Sequence, residues 1–229
     1  MNRILCIADS LGLPGHLNKY EDTWLYKLKQ EFPEYDFISY FKRQLTTDVL
    51  VSLGGGKVFP KGSDCLEVFE PDIAIIQLGI VDCAPRLLNR LDKVIIKLLP
   101  QKITPLYIGL LKKIRKRNIN NTAVSFEKFK SNLLDYINRA QIIKTKVIFI
   151  EISIPDKRMI NKNKDIINNV NKFNNYYRSL TSEFSHVFLT KALSQDDADV
   201  EIYTDGYHPN KEGNKIIYNR ILNTLNEFS

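Results

Sequence analysis

The sequence predicts a doubly wound α/β domain, a three-layer α/β/α sandwich around a five-stranded parallel sheet. Three observations predict it. Short β-rich apolar runs alternate with longer stretches of helical periodicity through all 229 residues. The third and fourth runs, DIAIIQL (72–78) and KVIFIEI (146–152), are continuously apolar rather than alternating, as in strands covered on both faces. A chain of this length that is 44% hydrophobic can fill one sizeable core, so residues 1–229 read as one domain.

The elements follow in order. RILCIA (3–8) is the first strand and stops abruptly at Asp9-Ser10, before Gly12, Pro14 and Gly15. A helical stretch near 20–31 leads to the second strand, YDFISYF (35–41), and a further helix near 63–69 leads to the third, 72–78. Helical patterns near 86–98 and 125–142 precede the fourth strand, 146–152. A helix near 165–182 precedes the fifth, HVFLT (186–190), and a last helix near 210–227 places Ile216, Ile217, Ile221, Leu222 and Leu225 at helical spacing. Residues 92–124, with Pro100, Pro105 and a basic cluster, exceed what a minimal crossover needs and read as a helical insertion or lid. The irregular stretch ISIPDKRMINKNKD (152–165) is expected to form a mobile loop. Parallel sheets of this kind place ligands beyond the carboxyl ends of their strands, where Asp9-Ser10, Asp82 and Ser153 to Asp156 fall.

Composition narrows the setting. The formal net charge is +7. Much of the excess is scattered, and only KKIRKR, with Lys112, Lys113, Arg115, Lys116 and Arg117, is a cluster. It reads as the exposed end of a helix or as a contact for an anionic substrate or membrane surface. There is no zinc-finger spacing, RNA-binding signature or aromatic-interleaved basic strip, so no nucleic-acid partner is expected. The opening apolar stretch is too short for a secretory h-region, and no stretch approaches the roughly 20 residues of a membrane span. Cys6, Cys65 and Cys83 are an odd set without metal-like spacing, which points to reduced thiols in the cytoplasm.

Three short stretches carry the chemistry. Asp9-Ser10 at a strand end is either a turn or a hydroxyl nucleophile held at the lip of the sheet. TDGYHPNKEGNKII (204–217) sets Asp205 three residues before His208. A serine nucleophile needs a base that accepts and returns a proton near neutral pH, and the base needs an acceptor to fix its tautomer. The same residues could instead cap the last helix through Asp205 or Asn210. Of the other histidines, His186 opens a strand and reads as structural, while His16 lies just after Ser10. QLGIVDCAPR (77–86) carries Gly79, Val81, Asp82 and Arg86. It could also be an ordinary connection with Pro85 in a first helical turn and Asp82 paired to Arg86.

Taken together, ADSL (8–11), GIVD (79–82) and DGYHP (205–209) resemble, in order and position, the blocks of the SGNH or GDSL hydrolase family. YEDTW (20–24) and CAPR (83–86) are similar to bacterial members linked to surface-polysaccharide assembly. The resemblance implies a flavodoxin-like fold, Ser10 as nucleophile, His208 as base and Asp205 as its orienting acid, with Asp9 positioning the loop. It implies an O-acylated sugar or glycan precursor, an O-acetylated one in the first place, as substrate, and neither metal nor organic cofactor. Three departures stand out. Ala8 replaces the first glycine. FKRQLTTDVL (41–50) holds no glycine where the family offers a backbone N–H to the oxyanion, and GGG (54–56) comes later. Val81 replaces the asparagine whose amide joins the oxyanion hole, so Arg86 or Arg43 is the candidate donor beside Gly79 and Asp82. The same acyl-enzyme could serve an acyltransferase, and the altered hole fits an inactive glycan- or protein-binding member as well. A nucleotide binder is disfavoured, because ADSLGLPG is no phosphate loop.

Overall fold

A computed structural model describes residues 2–15, 17–51, 64–86, 88, 90–115, 121–163 and 165–227. Its sheet has five parallel strands in the order β2-β1-β3-β4-β5. They are β1 (Arg3–Ala8), β2 (Asp36–Phe41), β3 (Ile73–Gln77), β4 (Lys146–Ile150) and β5 (Val187–Thr190), each within about two residues of its expected bounds. The order reverses beside β1, and Ala8 pairs with both Phe41 and Gln77, so the carboxyl ends of three strands meet there.

Alternation of side chains across the strands builds two cores. On one face Leu5, Ile7, Ala74, Ile76, Val147 and Phe149 pack with α6 (Phe126–Ile142) and α8 (Asp165–Glu183) through Phe129, Tyr136, Phe173 and Tyr177. On the other, Ile4, Cys6, Ala8, Ile75 and Ile148 pack with α1 (Trp24–Glu31) and α9 (Lys211–Asn226) through Trp24, Leu28, Ile217 and Ile221. Three stacked layers result. The edge strand β2 is only partly buried, whereas β3 is buried throughout. Cys6, Cys65 and Cys83 are all buried.

Several expectations are corrected. The stretch near 20–31 is not one helix: a 3-10 turn at Tyr20–Asp22 precedes α1, and the Thr23 hydroxyl accepts from the Tyr26 N–H to start it. The helix expected near 63–69 is present as α2 (Asp64–Phe69) and needs no correction. Pro85 opens no helix. It follows a short helix, α3 (Ile80–Cys83), and the intervening Ala84 is extended as residues before proline prefer; the next helix, α4 (Arg90–Leu98), begins later. Pro100 separates α4 from α5 (Thr104–Arg115). The loop expected over 152–165 contains α7 (Lys157–Lys162), because the Asp156 carboxylate accepts the Arg158 N–H at 2.8 Å and caps it. GGG (54–56), His16, Lys116 and Arg117 lie outside the described residues. Among the described residues no helix is long and apolar enough to cross a membrane.

Candidate active site

Ser10 emerges where β1 runs out of sheet. The Asp9 N–H still bonds the Gln77 carbonyl at 3.3 Å, as a strand residue does. The chain then turns, because Asp9 Oδ1 accepts the Leu11 N–H at 2.8 Å, and the turn lifts Ser10 to the surface of the rim. Asp9 itself is fully buried and Oδ2 has no partner among the described residues. Burial, eased by the Leu11 bond and reinforced by the nearby Asp82 charge, pushes its carboxyl up to about 7. Asp9 therefore shapes the loop rather than touching the hydroxyl chemistry.

The opposite wall is the turn before α9. Asn210 caps that helix by accepting the Gly213 N–H at 3.0 Å, as the capping reading of the motif expects, and Asp205 is not the cap but turns to His208. The turn closes through Thr204 N–H to the His208 carbonyl at 2.9 Å and is pinned by Asp156 N–H to the Gly206 carbonyl at 2.8 Å. Gly206 has φ of 111°, and a Cβ there would stand 2.8 Å from Met159 Cγ.

Within this frame His208 Nδ1 lies 2.7 Å from Asp205 Oδ2, and His208 Nε2 lies 3.0 Å from Ser10 Oγ. Asp205 Oδ1 also accepts the backbone N–H of His208 at 3.1 Å. Partial burial raises the Asp205 carboxyl, but the bonds from the His208 ring and backbone outweigh it and hold the group below the usual carboxylate range. An ionised carboxylate can only accept, so Nδ1 carries the ring proton and Nε2 is left to accept from Ser10. That is the geometry of a hydroxyl poised to lose its proton. The Tyr207 ring lies 4.1 Å from the imidazole, centroid to centroid. His186, by contrast, donates from Nε2 to the Ile137 carbonyl at 3.2 Å and is structural.

The GIVD block contributes differently than expected. Asp82 does not pair with Arg86. It is fully buried and accepts from Thr47, at 3.0 Å from the N–H and 2.5 Å from the hydroxyl, while Asn132 supports that hydroxyl at 3.1 Å. Burial, opposed by these bonds, still raises its carboxyl to about 6. Asp82 thus ties α3 to the stretch following β2. Gly79, at φ of 116°, caps the start of α3 against Ile152 rather than facing the cavity. Arg86 donates to the Val81 carbonyl at 3.3 Å.

Two cavities meet at Ser10. One, of about 460 Å³, is largely apolar and is lined by Ile80, Val81, Ala84, Leu88, Met159 and Ile166, with Arg86 and Tyr207 at its edge. The other, of about 210 Å³, is mixed: Arg43, Thr204, Asp205 and His208 line it together with Leu13, Pro14 and Tyr207. Gln44 borders both. Its φ is 60°, in the left-handed region that glycine usually fills. Among the described residues, neither the Ser10 nor the Gln44 N–H donates to a protein acceptor. The sequence concealed Gln44 because its side chain carries no mark of a glycine-like backbone; only its position after β2 could have pointed to it. Among the described residues no three His, Cys, Asp or Glu side chains gather as a metal site.

Such a fold with a serine beside a histidine and a carboxylate defines a serine hydrolase. The chain belongs to the GDSL-like lipase/acylhydrolase family, whose model matches residues 36–221. Its fold is shared with the psychrotrophic esterase EstA from Pseudoalteromonas sp., at 15% identity, TM-score 0.60, and coverage of 100% of this chain and 98% of that one. A member of the lipolytic G-D-S-L family from Veillonella parvula aligns at 12% identity and TM-score 0.58, covering 99% of both chains. An acetyl xylan esterase aligns at 14% identity and TM-score 0.60, covering 96% of this chain and 98% of its own. No curated protein sequence is significantly similar to the chain.

Proposed function

We propose that the protein is a serine esterase that removes an O-acyl group, acetyl or larger, from a sugar or glycan precursor through an acyl-enzyme on Ser10. The observation that carries this reading is the unbroken relay from Asp205 to His208 at 2.7 Å and from His208 to Ser10 at 3.0 Å. Ser10 Oγ attacks the acyl carbonyl carbon as its proton passes to His208 Nε2. The imidazolium, steadied by Asp205, returns that proton to the sugar oxygen as the ester C–O bond breaks. Water then attacks the acyl-serine, again through His208, and frees the acid. The oxyanion is met by the Ser10 N–H and, in this reading, by the Gln44 N–H in place of the family's glycine. Arg86 and Arg43 border the site from its two cavities.

The two cavities support the substrate assignment. The apolar one suits the acyl group and has room beyond acetyl, while the smaller, mixed one offers Arg43, Thr204 and Gln44 as hydrogen-bonding groups for a hydroxyl-bearing alcohol. Residues 1–229 are read as one working domain, with the helices within 92–124 an insertion into it. A fluorophosphonate tests the reading directly. It should label the full chain at Ser10 and label Ser10→Ala not at all, and acetate release from an acetylated sugar should vanish with the same substitution. Labelling elsewhere, or undiminished release by Ser10→Ala, overturns it.

A further inference from the structure

Helices α4 and α5 leave the fold and rejoin it through one neck. There the Arg86 N–H donates to the Asn121 carbonyl at 2.6 Å, and the Ala123 N–H donates to the Asp82 carbonyl at 3.1 Å. Beyond the neck the two helices turn at Pro100, whose carbonyl accepts the N–H groups of Ile103 and Thr104. Tyr107 of α5 donates to Asp92 of α4 at 3.0 Å, holding them as a hairpin.

The hairpin does not present the surface of an ordinary solvated insertion. Leu91, Val94 and Leu98 on α4, and Leu106, Leu110 and Ile114 on α5, are exposed, from 54% for Leu110 to 80% for Leu98. Their spacing of three and four residues sets each trio along one face of its helix. Contiguous exposed apolar surface of this kind marks an interaction site in soluble chains. Charge is concentrated in the same place. Residues 90–115 hold seven Lys or Arg against one acid, a formal +6 of the chain's +7. That acid, Asp92, is turned inward and only 3% exposed, while Lys97, Lys102, Lys112 and Lys113 face solvent.

We propose that the α4–α5 hairpin docks on the anionic face of a lipid bilayer. Aliphatic stripes bordered by lysines are what an interfacial helix needs: the stripes enter the headgroup boundary and the lysines meet anionic lipid. A second copy of the chain would bring the same dense positive charge against itself. Nucleic acid would answer the lysines but leave the leucines and isoleucines without a partner, since base stacking uses aromatic rings. An anionic bilayer satisfies both features. Because Arg86 and Leu88 at the neck also line the apolar cavity at Ser10, docking brings that cavity's neighbourhood to the membrane. The inference does not depend on the ester chemistry.

The test is cosedimentation of the full chain with large unilamellar vesicles, either pure phosphatidylcholine or containing about 30 mol% phosphatidylserine. Binding should be at least about tenfold stronger to the anionic vesicles and should be released at about 0.5 M salt. The double variant Leu98→Glu/Leu106→Glu should stay in the supernatant. Lys97→Gln/Lys112→Gln/Lys113→Gln should weaken binding by about tenfold or more. Neither variant touches the cavity at Ser10, so fluorophosphonate labelling and thermal unfolding should match wild type and show that both fold. Failure to pellet with anionic vesicles overturns the proposal. So does binding that survives the glutamates, or a lipid-free dimer that the same glutamates dissociate, which would assign the face to a second copy.

Discussion

At the scale of single residues, the relay makes a graded prediction. Ser10→Ala and His208→Ala should each lower kcat/KM on an activated aryl acetate by at least about 10³-fold, and Asp205→Ala by ~10–100-fold less than His208→Ala. Asp205 only orients and steadies a ring that still carries the proton. Equal losses for Asp205 and His208, or a silent His208, would contradict the geometry. Val81 poses a different question. If the oxyanion hole already has its donors in the Ser10 and Gln44 N–H groups, Val81→Asn gains little, well short of the roughly 10² a donor is worth. The new amide would also put a polar group into the cavity's apolar wall. Arg86→Ala should reduce turnover, because Arg86 is the cationic side chain on that wall and its guanidinium holds the Val81 carbonyl. Steady-state kinetics on an acetylated sugar decide it: a rise with Val81→Asn alongside full activity of Arg86→Ala would mean the hole is incomplete.

At the scale of elements, what was legible depended on how local the signal was. Strands β1, β3 and β4 were legible because each is a run of apolar residues covered from both sides, and the less buried β2 and β5 because each is a short β-rich run between helical patterns. The Asp205–His208 pair was legible because its members are three residues apart. Short capped helices were not. Asp156 before KRMINK and Thr23 before WLYKLKQE are both N-cap signals, but each was absorbed into a longer loop or helix. The alternative pairing of Asp82 with Arg86 fails because it needs helical spacing past Cys83, where α3 has already ended. Its true partner, Thr47, is 35 positions away and no local pattern announces it. The glycine opening α3 makes a prediction at this scale. Gly79 has φ of 116°, and an added Cβ would lie 2.7 Å from Ile152 Cδ1. Gly79→Ala should therefore cost about 2–4 kcal/mol, the sum of backbone strain and displaced core packing. Thermal unfolding measures it, and a cost below about 1 kcal/mol would show that α3 can start another way.

At the scale of the whole molecule, two buried carboxyls set how stability responds to pH. Asp9 and Asp82 stand at the centre of the fold where β1, α3 and the stretch after β2 meet, and burial raises them to about 7 and about 6. In the unfolded chain both titrate near 3.8. Between these values the folded protein binds more protons than the unfolded chain, so stability falls as pH rises from about 4 to about 7. Each unit of difference is worth about 1.4 kcal/mol. Asp205 works in the opposite sense. Its depressed pKa contributes stability above 3.8 that is lost only in stronger acid, outside this window. Asp9 should dominate the slope near neutrality, because among the described residues one of its oxygens has no hydrogen-bond donor to stabilise a charge, whereas Asp82 has Thr47. Asp9→Asn keeps an acceptor for the Leu11 N–H and removes the charge. The variant's Tm should therefore vary less than that of wild type between pH 5 and pH 8. An unchanged slope in Asp9→Asn would mean that the carboxyl is already ionised in the fold, with its second oxygen satisfied in a way that the protein's own donors do not explain.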